Sequence, residues 1–293
     1  VALPFRPDST GAFTLTVTAY NAKPFQITLN VTTSGGAAVS KAAITVDDDN
    51  LGGTIGNGDG IADAGETVDL RVALRNRGSA PTTGSVAATL ATGDVAVTIA
   101  NPDAIYGAIA PGGTGDPVTP FRLTVPVDVT DQREVGFTLV VWDGSRSWRE
   151  NLQVTLHAPE LKHFEQVVTE SPGNNDGRPT TGETATYTLR VRNLGSGVAR
   201  GVNARLRSLN ASAAVSDSVV TIGDLAPGAT GQADAFVFSV TATGARLMLE
   251  LRDALLVRDV QYLDLTFPSA PFGLAGVGEA DAVKLTWVPN TEP

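Results

Sequence analysis

Oxygen-bearing side chains gather in one short stretch of this chain. Asp47, Asp48, Asp49, Asn57, Asp59, Asp63 and Glu66 crowd together, and no Lys or Arg lies between Asp47 and Glu66. Hard divalent cations such as Ca2+ take about six to eight oxygens from carboxylates, amides and backbone carbonyls. Counted back from Glu66 as position 12, the loop has EF-hand-like spacing. Asn57, Asp59, Asp63 and Glu66 fall at positions 3, 5, 9 and 12, with Gly60 at position 6. Ile61, at position 7, is placed to offer its backbone carbonyl. Position 1 is Ile55, which brings no ligand, so the Asp47–Asp49 run is expected to supply the missing carboxylate. Left uncompensated, these acids repel one another. The competing reading is an Asx-rich turn whose side chains bond the loop's own amides while Gly supplies positive φ.

The loop occurs twice, 117 positions apart. NGDGIADAGE runs from Asn57 to Glu66, and NNDGRPTTGE runs from Asn174 to Glu183. Asn174, Asp176 and Glu183 persist in the second copy, but Thr180 stands in place of Asp63 and Pro172 falls at position 1. Upstream, Glu165 and Glu170 replace the three aspartates. Fewer carboxylates imply weaker Ca2+ binding in the second loop.

Other chemistries find little support. The chain has no Cys, which removes thiolate metal sites, disulfides and a cysteine nucleophile. His157 and His163 are the only histidines, and there is no Gly-x-Ser-x-Gly elbow, so a hydrolytic triad is not expected. The net charge of −10 disfavours nucleic acid and anionic membranes as partners. No apolar run is long enough for a membrane-spanning helix. Trp142, Trp148, Phe121 and Phe137 are assigned to a core rather than to a glycan platform, and Tyr106 and Tyr262 to packing. Arg71, Arg75, Arg190 and Arg192 fall on the solvent face, where acids can pair them.

The elements that must hold the loops are strands. Val68, Leu70, Val72 and Leu74 alternate with Asp69, Arg71, Ala73 and Arg75, which gives one buried and one wet face. Ala185, Tyr187, Leu189 and Val191 repeat that pattern after the second loop. Asn76 and Gly78 recur as Asn193 and Gly195, and Ile109-Ala110-Pro111-Gly112 recurs as Leu225-Ala226-Pro227-Gly228. Gly, Pro, Asn and Asp punctuate short alternating runs throughout, the pattern of antiparallel sandwiches. The expected fold is all-β: tandem antiparallel Ig-like β-sandwiches in an elongated array, with incomplete domains at both ends. Residues 1–40 are read as the last strands of an Ig-like domain. Residues 41–157 and 158–267 are read as two repeats, and 268–293 as the opening of a further domain.

DDDNLGGTIGNGDGIADAGETVDLRVALRNRG resembles the CARDB-like or Ig-like repeats of large bacterial secreted proteins, and the second repeat matches more loosely. LTVTAYNAKPFQITLNV resembles the end of the Ig-like domain of gingipain-like cysteine peptidases. PFGLAGVGEADAVKLTWVP resembles the start of a fibronectin type III domain, with Trp287 as its early Trp. These resemblances imply a non-catalytic stretch of a secreted or surface bacterial protein; no peptidase residue carries over. The function expected is a calcium-stiffened extracellular spacer that contacts neighbouring domains of the same protein. The alternatives are a glycan- or protein-binding adhesion module, and a subunit joined to an assembly by strand complementation.

Overall fold

The computed structural model describes residues 10–32, 35–264, 272–279 and 282–288, the last two spans as backbone. Trp287 and the chain ends beyond these spans, parts of the first and last expected domains, lie outside what is described at side-chain level. The described residues form strands and no helix. Ala158–Thr169 lies mostly in a strand, Leu161–Glu170. The chain divides into two compact units between His157 and Ala158.

The first unit begins with a hairpin, β1 (Gly11–Val17) against β2 (Phe25–Val31), reversed at Asn21 with a φ of 56°. Its sandwich follows. One sheet has the order β3 (Val39–Asp47), β5 (Thr67–Asn76), β10 (Phe121–Thr124), β7 (Thr98–Asn101), with β9 (Thr114–Gly115) also on β5. The other has the order β4 (Ala62–Asp63), β12 (Ser147–His157), β11 (Arg133–Trp142), β6 (Ala87–Ala91), β8 (Asp103–Ile105). All pairings are antiparallel except the short β4–β12 contact. The alternation in β5 does what it predicts: Val68, Leu70, Val72 and Leu74 are fully buried. Burying each such side chain stabilises the fold by about 1.5–3 kcal/mol relative to exposure. Phe121 and Phe137 join them. Tyr106 is buried too, and its hydroxyl donates to the Val72 carbonyl at 2.8 Å, tying the second sheet's loop to the first sheet.

The second unit repeats the plan. One sheet has the order β13 (Leu161–Glu170), β14 (Thr184–Asn193), β19 (Phe236–Val240), β16 (Ala213–Asp217), with β18 (Thr230–Gln232) on β14. The other has the order β17 (Val219–Leu225), β15 (Ala199–Ser208), β20 (Arg246–Arg252), β21 (Val257–Asp264). Tyr187, Leu189 and Val191 from the first sheet share one core with Leu206, Leu247 and Leu249 from the second. A last hairpin pairs β22 (Phe272–Glu279) with β23 (Ala282–Val288).

Three side chains depart from the sequence expectation. Trp142 is not a core anchor; it is 38% exposed, because it falls on the outer register of β11 with Val140, while Val141 takes the buried side. Tyr262 is exposed as well. Asp69 sits on the expected wet face of β5 yet is buried, because Arg122 from β10 lies over it with bonds of 2.8 and 3.0 Å. The same guanidinium reaches the Gly52 carbonyl, which brings the 50–54 loop down over the pair.

Candidate functional site

Each doubled loop sits between the first long strand of a sandwich and its neighbour, β3 and β5 in one copy and β13 and β14 in the other. Strand pairing brings the two ends of the loop together, so the acids that precede it meet the acids within it.

One of the three leading aspartates enters the first loop. Asp48 is fully buried, and its carboxylate is ringed by backbone amides. Asn57, Gly58 and Asp59 donate to Oδ2 at 3.0, 2.7 and 3.3 Å, and Gly60 donates to Oδ1 at 2.9 Å. Burial pushes this carboxyl up, but the four amides outweigh it and hold it below the ordinary carboxylate range. The wrap needs left-handed backbone at Gly58 and Gly60, whose φ values are 76° and 79°. Gly56 lies against Asp48 so closely that a Cβ there would strike its carbonyl at 2.5 Å. The other two aspartates go elsewhere. Asp47 pairs with Arg71 at 3.0 Å, and Asp49 accepts from the Leu51 amide and the Thr54 hydroxyl.

The remaining expected ligands also hold loop amides. Asn57 accepts from Asp59, Asp59 accepts from Ile61, and Asn57 donates its side-chain amide to Asp63 at 3.0 Å. Asp63 and Glu66 are buried, and Glu66 accepts from the Asp63 amide at 3.0 Å. Burial, with the charges of Asp63, Asp48 and Asp59 beside it, pushes Glu66 up to about 7 despite that amide. Negative charge is therefore concentrated but not gathered into a cage. Among the described residues no three acidic or histidine side chains stand together in a metal-holding group. A cation would have to draw on the second oxygens of Asp59, Asp63 and Glu66.

The second loop keeps the backbone plan. Asp176 bonds Asn174 and Arg178 bonds Asp176 at 3.0 and 2.9 Å, repeating the two Asx turns of the first loop. Glu183 accepts from Thr180 at 2.7 Å and also from Asn174 at 3.1 Å, and these amides hold its carboxyl below the usual range. Glu170 takes the place of Asp48. It is buried, and it accepts from the Gly177 amide at 3.3 Å. Glu165, the other upstream acid, instead pairs with Arg190 on the sheet face.

The duplication extends to two further features. Asn76 is fully buried and makes four bonds: its oxygen accepts from Ala38 and Gly78, and its nitrogen donates to the Ala80 and Ile109 carbonyls. Asn193 does the same with Glu160, Gly195, Gly197 and Leu225. Asp143 and Asp253 each begin a hairpin turn and accept its amides. A lone Asp between two alternating runs was the available signal. The His157 backbone pairs with Asp63 of the first loop, and its carbonyl accepts from the Ala64 amide at 2.8 Å. His157 ends β12 beside Gln132, and His163 lies in β13 with its Nε2 buried.

No protein-family model matches the chain, and no curated protein matches it. It is similar to several solved structures at low identity. The C-terminal domain of the AgI/II polypeptide BspA from Streptococcus agalactiae is 10% identical with a TM-score of 0.34, covering 75% of this chain and 96% of that one. A protein of unknown function from Porphyromonas gingivalis W83 is 12% identical with a TM-score of 0.23, covering 70% and 92%. Red sea bream transglutaminase is 14% identical with a TM-score of 0.27; the match covers 78% of this chain but only 30% of that enzyme.

Proposed function

We propose that this chain is a non-catalytic structural spacer of a multidomain extracellular bacterial protein, with calcium held at the first doubled loop. The observation that carries the spacer reading is the repeated commitment of polar side chains to the backbone. Asp48, Glu66, Glu170 and Glu183 each accept loop amides, and Asn76 and Asn193 each satisfy four backbone groups. Groups used this way fix loops and strand ends. The CARDB-like, gingipain-like and fibronectin-like resemblances of the sequence support the same setting.

The calcium part rests on the buried acids. Glu66 is buried beside the like charges of Asp63, Asp48 and Asp59, which a cation would offset. A cation that binds only the folded loop stabilises it by mass action. The test is thermal unfolding of metal-stripped protein with calcium and with excess chelator. A rise in melting temperature with calcium that chelator reverses is expected; identical melting in both removes calcium and leaves the spacer.

One observation favours a second reading, assembly by strand complementation. The β1–β2 hairpin leaves Leu15, Val17, Phe25, Ile27 and Leu29 exposed. A two-stranded hairpin with such faces gains from further strands. Light scattering at several concentrations tests this: growth in mass supports it, and a constant monomer overturns it for the chain alone.

A further inference from the structure

The second sheet of the second unit carries a concentration of arginine on its outer face. Strand register sets Val219 of β17, Arg205 of β15, Glu250 of β20 and Val260 of β21 side by side in one row. Arg207 and Tyr262 belong to the next row on one side, and Arg252 to the next row on the other. The residues between them, Ala204, Leu206, Leu249 and Leu251, are buried in the core. By the two-residue period the arginines and their row partners therefore face outward.

The charges on this face do not balance. Glu250 Oε2 lies 3.7 Å from Arg207 and 3.9 Å from Arg252, so two guanidinium groups share one carboxylate oxygen. Both contacts exceed the 2.7–2.9 Å or so of a charge-assisted hydrogen bond. That oxygen is itself buried with no hydrogen-bond partner among the described residues. Arg205 stands directly opposite Glu250, and its Nε is likewise buried with no hydrogen-bond partner among the described residues. Three arginines thus meet one glutamate, in a chain whose acids outnumber bases 31 to 21. Like charges held this close favour an anion between them.

The same rows are also apolar. Val219, Val260 and Tyr262 are 53%, 42% and 67% exposed. Arginine and tyrosine side by side on an exposed face match the composition of protein interfaces, where Arg and Tyr are enriched. A sulfated or carboxylated sugar would answer the arginines but bring no side chains to cover the valines, so the face favours a peptide.

We propose that this face docks an acidic segment of a protein partner, one with apolar side chains beside its carboxylates. The carboxylates take the planar forks of Arg205 and Arg207, and the apolar side chains cover Val219, Val260 and Tyr262. Arg205 and Arg207 are two residues apart along β15, roughly 7 Å at about 3.4 Å per residue. Alternate residues of an extended partner have the same spacing, so two of its carboxylates engage both arginines at once. Glu250 then acts as the internal competitor that the partner displaces. The site goes beyond the spacer reading and does not depend on it.

The test is a fluorescence anisotropy titration of the full chain with a labelled peptide of Glu-Glu-Val repeats. A Glu-Glu-Ser peptide of equal charge and a heparin oligosaccharide run beside it. The Glu-Glu-Val peptide is expected to bind, more tightly than either comparison, and to weaken as salt rises. Arg205→Ala, Arg207→Ala and Tyr262→Ala are each expected to weaken binding about fivefold or more. Arg207 and Tyr262 are exposed, so their variants keep the test open if Arg205→Ala disturbs the sheet. Glu250→Gln is expected to tighten binding about threefold or more, because it removes the competing carboxylate, a gain that a damaged fold does not produce. No binding of the Glu-Glu-Val peptide, equal binding of the Glu-Glu-Ser peptide, or unchanged affinity in Arg207→Ala or Glu250→Gln each overturns the proposal. Tighter binding of heparin overturns it in favour of a sugar polyanion.

Discussion

Asn76 shows how one short side chain can hold a sandwich edge. Its amide satisfies two donors and two acceptors from segments far apart in sequence, and it does so with no exposure. Removing it strands the Ala38 and Gly78 amides and the Ala80 carbonyl, while the Ile109 carbonyl keeps the Thr82 amide; a buried group left unpaired costs about 1–3 kcal/mol, partly offset where water enters. Asn76→Ala is therefore expected to cost on the order of 3 kcal/mol in urea unfolding, and Asn193→Ala a similar amount in the second unit. A loss below about 1 kcal/mol in both would show the hub is not structural. Asp143 gives a pH-dependent counterpart. Burial pushes its carboxyl up, but the Thr83, Arg146 and Ser145 amides and the Ser145 hydroxyl prevail and hold it at about 2. A carboxyl depressed in the folded state stabilises above its unfolded value and loses that contribution as pH falls through the folded value. Asp143→Asn should thus be destabilised near neutral pH, and its difference from the parent should shrink as pH falls from 4 towards about 2.

At the scale of the element, the doubled loop is built around a carboxylate supplied from outside it. Four amides converge on Asp48, so the loop's conformation depends on a residue that precedes it by nine positions or more. Asp48→Ala should cost about 2 kcal/mol or more. It should also speed hydrogen exchange at the amides of Asn57, Gly58, Asp59 and Gly60 well beyond the rest of the unit. Slow exchange at those four amides in the variant would mean that the turn holds itself. The spacing of Asn57, Asp59, Gly60 and Glu66 was legible in the sequence, but the aspartate run was read as the source of a metal ligand and not as the acceptor of four loop amides. Which aspartate enters was not legible, because strand register decides it. Asp47 is the last residue of β3, opposite Asp69 in register and paired diagonally with Arg71, so Asp48 is the first free to turn in. The same limit hid Trp142. Apolar residues fill both faces of VVW, and the side Val141 takes follows only from the longer alternation of Val135, Phe137 and Leu139 with Glu134, Gly136 and Thr138.

At the scale of the whole molecule, repetition was the most legible feature, since two copies of the same turns at fixed offsets are hard to produce without two copies of the same fold. Alternation then supplied the cores: Val68 to Leu74 and Ala185 to Val191 are buried as their periods require. What the period could not supply were burials produced by distant partners, as with Asp69 beneath Arg122. Such pairs join strands whose mutual order no local pattern encodes. The chain carries two cores, one on each side of the division at His157 and Ala158. Leu249 is fully buried in the second, among Leu206, Phe238 and Val191. Leu249→Ala should cost about 2–5 kcal/mol, the range for a large core side chain cut to Ala. Hydrogen exchange by fragment is the discriminating measurement, because mutations at distant sites without shared partners act independently. Amides of β14, β15 and β20 should lose protection, while those of β5, β11 and β12 keep theirs. Equal loss in both sets would mean that the two cores unfold as one cooperative body.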